Sequence, residues 1–175
     1  MTDLKVCSTC NGVEDYCSCF YDSDFDVQLK IKLLHEDSKV PVKAHEDDAC
    51  FDLFAYIEGY PEKYYHLKPG ERQLIPLGFS MSVPDGWEAQ MRPRSGLALK
   101  KGISLVNSPG TIDSGFRSEV NALLINHGKE PVEIHHGDKI AQMKISKVPR
   151  VNVVVVDELN ETERNRGGFG STGDR

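Results

Sequence analysis

From Val27 onward the chain alternates: Val27, Leu29, Ile31 and Leu33 are apolar, whereas Gln28, Lys30 and Lys32 are polar. A period of two marks a strand with one buried face and does not match the helical period. Strand-like stretches return at Gln73–Val83, Glu88–Arg92, Ile103–Val106, Val120–Asn126, Ile140–Val148 and Val151–Val156. Turn formers stand between them: Pro69-Gly70, Pro84-Asp85-Gly86, Pro109-Gly110, His127-Gly128 and His136-Gly137-Asp138. Many short strands with this punctuation predict an all-β sandwich, barrel or jelly roll. One stretch departs from the pattern. Ser95 to Gly102 predicts a short helix, with Ser95 as N-cap, Lys100 and Lys101 in the last turn, and Gly102 as the stop.

At 175 residues the chain suits one domain with an appendage. Three parts are expected: an acidic Cys-rich arm over 1–26, a β domain over 27–156, and a flexible C-terminal lid over 157–175. Net charge is −6, and the arm holds −5 of it through six acids against Lys5. The near-neutral body can accept a small polyanion where its arginines cluster. It lacks the basic surplus that grips a nucleic-acid backbone, so no polymeric nucleic-acid partner is expected. Apolar runs such as Val153 to Val156 are far too short to span a bilayer, and Met1 is not followed by a signal-like segment. A cytoplasmic protein without membrane attachment is expected, with its cysteines reduced.

Five segments carry chemistry. Arg92-Pro93-Arg94-Ser95-Gly96 puts a guanidinium, a hydroxyl and bare backbone amides at a helix start, a combination that binds phosphate or serves as an ordinary cap. Val106 to Glu119 holds Asn107, Gly110 and Asp113 in a Pro/Gly-bounded turn between two strands, read as a hairpin whose mouth exposes backbone donors and acceptors. Asp113 is a candidate general base, or an Asp that stabilises its own turn. Asp52 lies in the apolar stretch Asp48 to Ala55, where a carboxylate needs a partner, and His136 to Met143 reads as a strand start carrying Gln142. In the tail, Arg164-Asn165-Arg166-Gly167-Gly168-Phe169-Gly170-Ser171-Thr172-Gly173 is too glycine-rich to order unaided. Its arginines, hydroxyls and single ring suit a strap over a nucleotide polyphosphate.

In order, Asp-Leu, Pro-Arg-Ser-Gly-Leu-Ala, Gly-Thr-Ile-Asp-Ser-Gly-Phe-Arg, Gly-Asp-Lys-Ile-Ala-Gln and Gly-Gly-Phe-Gly-Ser-Thr-Gly resemble the five motifs of the trimeric dUTPases, from about Val27 to Gly173. The resemblance implies a jelly-roll-like β-clip fold with one short helix, assembled as a homotrimer with shared active sites. Each site in that family takes motifs one to four from two subunits and motif five from a third. The implied reaction is Mg²⁺-assisted hydrolysis of dUTP to dUMP and pyrophosphate, which limits uracil incorporation into DNA and supplies dUMP for dTMP synthesis. Carried over residue by residue, Asp113 activates the attacking water, and Asn107, with the backbone of Gly110, Thr111, Ile112 and Asp113 and near Asn121 on the next strand, reads the uracil edge. Phe116 packs under the deoxyribose. Arg94, Ser95, Gly96 and Gln142 take the phosphates, and Asp52 holds the hydration shell of Mg²⁺. Arg164 clamps the γ-phosphate, Phe169 and Gly170 cover the uracil, and Ser171 and Thr172 add hydroxyls to the phosphates.

Some positions depart from the family pattern: Phe116 replaces a usual tyrosine, while Cys50, Ser118 and Asn165 stand where glycine is common. Cys7, Cys10, Cys17 and Cys19 form a C-x₂-C-x₆-C-x-C arm that the family does not ordinarily carry. Four thiolates at that spacing could hold a structural Zn²⁺; a reduced arm and disulfides are the other readings. Two other functions stay open on sequence. One is the related dCTP deaminases, although Asn121 to Ile125 lacks the acid that deamination uses. The other is a nucleotide-sensing regulatory protein that uses the arm to meet a partner.

Overall fold

The computed structural model describes residues 27–59 and 61–165. Cys7, Cys10, Cys17 and Cys19, and with them the zinc expectation, lie outside the described residues, as do Phe169, Gly170, Ser171 and Thr172. Among the described residues the elements run β1 (Lys30–Leu33), β2 (Phe51–Phe54), β3 (Tyr65–Leu67), β4 (Arg72–Ser82), β5 (Trp87–Arg92), α1 (Ser95–Lys101), β6 (Ile103–Leu105), β7 (Gly110–Ile112), β8 (Glu119–Asn126), β9 (Val132–Ile134) and β10 (Lys139–Lys147). They form one four-stranded sheet in the order β1-β4-β8-β6, a second in the order β2-β10-β5-β7, and a two-stranded β3-β9 pair. Neighbouring strands run antiparallel throughout.

One apolar cluster draws on both large sheets: Phe79 and Leu124 come from the first, Leu53, Met91 and Met143 from the second. In β8 the alternation is strict, with Val120, Ala122, Leu124 and Asn126 buried and their neighbours only half-buried. In the second half of β4, Leu77 through Met81 are all buried, because a bulge between Pro76 and Ser80 lets both faces be covered. Gly78 sits in that bulge at φ +72°, where its N–H is accepted by the Glu119 carboxylate at 3.0 Å and its carbonyl takes the Leu34 N–H at 2.9 Å. Beside it Tyr56 stacks on His35, with centroids 4.1 Å apart, and meets His136 edge-on. Desolvation pushes the Tyr56 phenol above its ordinary pKa, and Asp37, Glu58 and Glu119 add to the shift, so its hydroxyl stays protonated across the physiological range.

Three expectations need correction. Val151–Val156 does not form a strand; its five valines are between 54% and 94% exposed. β-branched residues favour the extended form, but a strand exists only where a neighbour supplies the ladder, and none among the described residues does so for them. The helix starts one residue earlier than expected. Arg94, at φ −90° and ψ 127°, is the N-cap, and Ser95 is the first helical residue with no side-chain cap bond. The Arg94 side chain is tied to Asp52 and to the Lys139 carbonyl, which suits an extended backbone there. Gly102 stops the helix as expected, in the left-handed region, with its N–H returned to Ala98 and Leu97. Finally, β6 and β8 do pair, but they are not a tight hairpin: the segment between them crosses to the other sheet, where β7 pairs with β5.

Candidate functional site

The second sheet sets the site. Asp52 on β2 lies opposite Gln142 on β10, and Gln142 lies opposite Arg92 on β5, so three polar residues form a row across the strands. Chain continuation past Arg92 through Pro93 brings α1 over this row. The Gln142 amide donates to the Pro93 carbonyl at 2.8 Å and fixes the approach. The result is an open cleft of about 530 Å³ lined by Asp52, Arg94, Ser95, Gly96 and Gln142 together with Asp48, Cys50, Lys100 and Lys101.

Asp52 is only 13% exposed at its side chain, yet both its oxygens are engaged. Oδ1 meets Arg94 Nε at 3.0 Å, and Oδ2 meets Lys139 Nζ at 2.8 Å. Its burial requires such partners, since a lone carboxylate in an apolar setting would be costly. Arg94 is held a second time, through Nη1 to the Lys139 carbonyl at 3.0 Å. A cleft with one arginine, two nearby lysines, a hydroxyl and the first amides of a helix has the chemistry to receive a polyphosphate.

The remaining candidates gather elsewhere. Asn107, Gly110, Thr111, Ile112, Asp113 and Phe116 follow one another along β7 and its flanks, with Asn121 on β8, the next strand in the chain. The Asn107 amide packs on Gly110: a Cβ there would come 3.0 Å from its nitrogen, so any side chain would displace it. Ile112 buries its side chain in the core, which leaves its main chain to meet a ligand. Asn121 donates to the Glu119 carbonyl at 2.9 Å. The Phe116 N–H is accepted by the Asp113 carbonyl at 3.1 Å, so main-chain atoms close this turn and the Asp113 side chain stands exposed.

These two groups do not line one cleft among the described residues. β7 is three strands from β2 in the order β2-β10-β5-β7, roughly 14 Å at about 4.8 Å per strand. The cleft therefore collects motifs one, two and four, and no residue of motif three lines it. Arg164 is exposed in the tail, and Asn165 after it takes φ +39°. That left-handed conformation is one glycine adopts freely and asparagine tolerates better than most residues, which accounts for the Asn in a position where glycine is common.

Sequence reasoning did not single out Asp48, Lys100 and Lys101 as cleft residues, or Lys139 as a partner of Asp52. The lysines of α1 read as helix-end charges, and Lys139 as part of a strand start. Among the described residues no group of three His, Cys, Asp or Glu side chains is arranged to hold a metal ion.

Known proteins place the chain. The dUTPase family profile matches residues 36–173. The deoxyuridine 5'-triphosphate nucleotidohydrolase of Clostridium tetani is 49% identical over 145 residues, covering 83% of this chain and 96% of that protein. The Clostridium acetobutylicum protein of the same name is 50% identical over 147 residues, covering 84% and 97%. In fold, the chain is similar to the Staphylococcus bacteriophage 80alpha dUTPase solved with dUPNHPP, with a TM-score of 0.74 at 24% identity over 83% of this chain and 98% of that one. A mutant dUTPase from phage phi11 of S. aureus, described for its coordination of a structural Mg(II) ion, matches with a TM-score of 0.66 at 22% identity, over 75% and 97%. The all-β architecture, the ordered motifs and a match that spans most of the sequence agree: this chain belongs to the dUTPase family.

Proposed function

We propose that the protein hydrolyses dUTP to dUMP and pyrophosphate with Mg²⁺, as a homotrimer whose sites are shared between subunits, in the cytoplasm. The convergence of Asp52, Arg94, Ser95, Gly96 and Gln142 on one cleft carries this reading. Arg94 and the α1 amides take phosphate oxygens, Ser95 adds a hydroxyl, and Gln142 lines the same cleft. Asn107, Asn121 and the main chain of Gly110 to Asp113 receive the uracil edge, with the Phe116 ring under the deoxyribose. Asp113 takes a proton from water as its oxygen bonds to the α-phosphorus, and the bond to the bridging oxygen breaks to release pyrophosphate. Arg164, Phe169, Gly170, Ser171 and Thr172 close over the nucleotide, excluding water and fixing the phosphate chain.

The residues present fit Mg²⁺. This ion keeps several waters and is bound through one or two carboxylates plus substrate phosphates, and the cleft offers Asp52 with Asp48 nearby rather than an all-protein cage. When bound, the ion neutralises charge that develops on the phosphates.

Two observations support assembly. No motif-three residue lines the cleft, which fits a site completed by a second copy. The extended Val151–Val156 segment also leaves apolar surface that a neighbouring subunit would cover. Replacing Val153 and Val155 together with Asp is expected to convert a trimer into monomers in sedimentation or light scattering, with activity lost in parallel. A fully active monomer would count against shared sites.

The activity itself is tested by pyrophosphate release from dUTP, dTTP, dCTP and UTP. Turnover of dUTP is expected to exceed that of each of the other three by at least about a hundredfold, because the uracil and deoxyribose pockets reject an added group sterically and through unpaired polar atoms. Equal rates on all four, or ammonia released from dCTP, would overturn the assignment. No helix among the described residues is long and apolar enough to cross a membrane.

A further inference from the structure

Lys139 and Gln142 are three residues apart, so in a regular strand they would point to opposite faces. Yet both lie beside Asp52: the Lys139 ammonium reaches its carboxylate, and Gln142 is its strand partner. β10 pairs with β2 through Lys139 with Phe54, then Ala141 with Leu53 and Gln142 with Asp52, and the register shifts between Lys139 and Ala141. That extra residue is a bulge, a device that re-aims a side chain beside a functional site. It brings Lys139 to the face already occupied by Asp52 and Gln142.

Three contacts then close a triangle. Lys139 Nζ reaches Asp52 Oδ2 at 2.8 Å, Arg94 Nε reaches Asp52 Oδ1 at 3.0 Å, and Arg94 Nη1 donates to the Lys139 carbonyl at 3.0 Å. One carboxylate thus faces two cations, and the cleft retains positive charge to which Lys100 and Lys101 add. The arrangement holds Asp52 from the side opposite Arg94, so the carboxylate does not swing when the guanidinium meets an anion.

We infer that Lys139 is a positioning residue for polyphosphate binding: its ammonium holds Asp52 and its carbonyl holds Arg94 in the geometry that receives the phosphate chain. The inference rests on the proposed dUTP hydrolysis. It assigns Lys139 no contact with the reacting atoms.

The test compares Lys139→Met, which removes the ammonium and keeps an unbranched stem beside the Phe54 ring, with Lys139→Arg, which retains a cation. Lys139 is 39% exposed and its Nζ lies 5.9 Å from the Phe54 centroid, so neither change disturbs the core. The probe is a non-hydrolysable α,β-imido analogue of dUTP, titrated calorimetrically with and without Mg²⁺, with kcat and KM measured in parallel. Lys139→Met is expected to raise the analogue Kd and the KM about tenfold, the lower end for loss of a supporting partner, while kcat changes less than about threefold. Lys139→Arg is expected to restore both to within about threefold of the parent. Should the Met variant fail to fold by its thermal transition, Lys139→Gln is read in its place.

Analogue affinity within about twofold of the parent in the Met or Gln variant, or a fall in kcat at unchanged affinity, overturns the positioning role. So does an Arg variant as weak as Met. A parent protein that neither binds the analogue nor releases pyrophosphate overturns the proposed activity instead, and the two failures are thereby told apart.

Discussion

Asp113→Asn is expected to lower kcat for dUTP by about a hundred- to ten-thousandfold, the usual contribution of a general base, with analogue affinity kept within a few-fold. The exchange keeps size and shape, and the turn that displays the residue is closed by main-chain atoms: the Asp113 carbonyl accepts the Phe116 N–H at 3.1 Å. Loss of the carboxylate therefore removes a proton acceptor without removing the loop. Single-turnover rates beside analogue titration separate the two effects. A variant that hydrolyses at the parent rate would take Asp113 out of the proposed mechanism. One that no longer binds would instead make it a recognition residue.

Asn126→Ala is expected to carry the largest stability cost, about 3 kcal/mol. The side chain is fully buried, and its amide donates to the Leu67 carbonyl at 2.9 Å and the Glu130 carbonyl at 2.8 Å. Its oxygen accepts the Gly128 N–H at 2.8 Å. Truncation leaves those partners without their bonds and opens a void. Around the same point the main chain is tight: the His127 N–H reaches the Gly102 carbonyl at 2.9 Å, and a Cβ on Gly128 would come within 2.5 Å of the Lys101 carbonyl. Asn126 thus ties the end of β3 to the β8–β9 turn, and the neighbouring His127 N–H joins that turn to the residue that ends α1. A fall in thermal midpoint of roughly 6–12 °C is expected, at about 2–4 °C per kcal/mol for a chain of this size. Parent and variant must be compared at equal protein concentration, because assembly contributes to apparent stability. A shift below about 2 °C would show that the turns hold without the amide.

Legibility along the chain followed the strength of the local period. β8 was readable because one face is buried along its whole length, from Val120 to Asn126. β4, β5, β6 and β10 were found within a residue or so of their ends. The three-residue strands β3, β7 and β9 are too short to show a period, and β2 was read only as an apolar segment with an acid in it. Val151–Val156 erred the other way, since its residue types favour a strand but no neighbour among the described residues supplies a ladder. In the site, Arg94, Ser95, Gly96, Asp52 and Gln142 were identified from motif order, and the structure brings them to one cleft. Lys139 escaped notice because its direction depends on a bulge, and parity counting along β10 points it away.

By itself the sequence determined the class of elements, the position of most turns and the family to which the motifs belong. These depend on local preferences: alternation, glycine and proline at the breaks, and short runs of functional residue types in a set order. Tertiary structure alone decided which motifs share a cleft, how Asp52 is partnered, where the helix is capped and which apolar segment is left uncovered. Each of these turns on strand order and on a one-residue shift in register, which couple residues far apart in the chain and leave no trace in any local window.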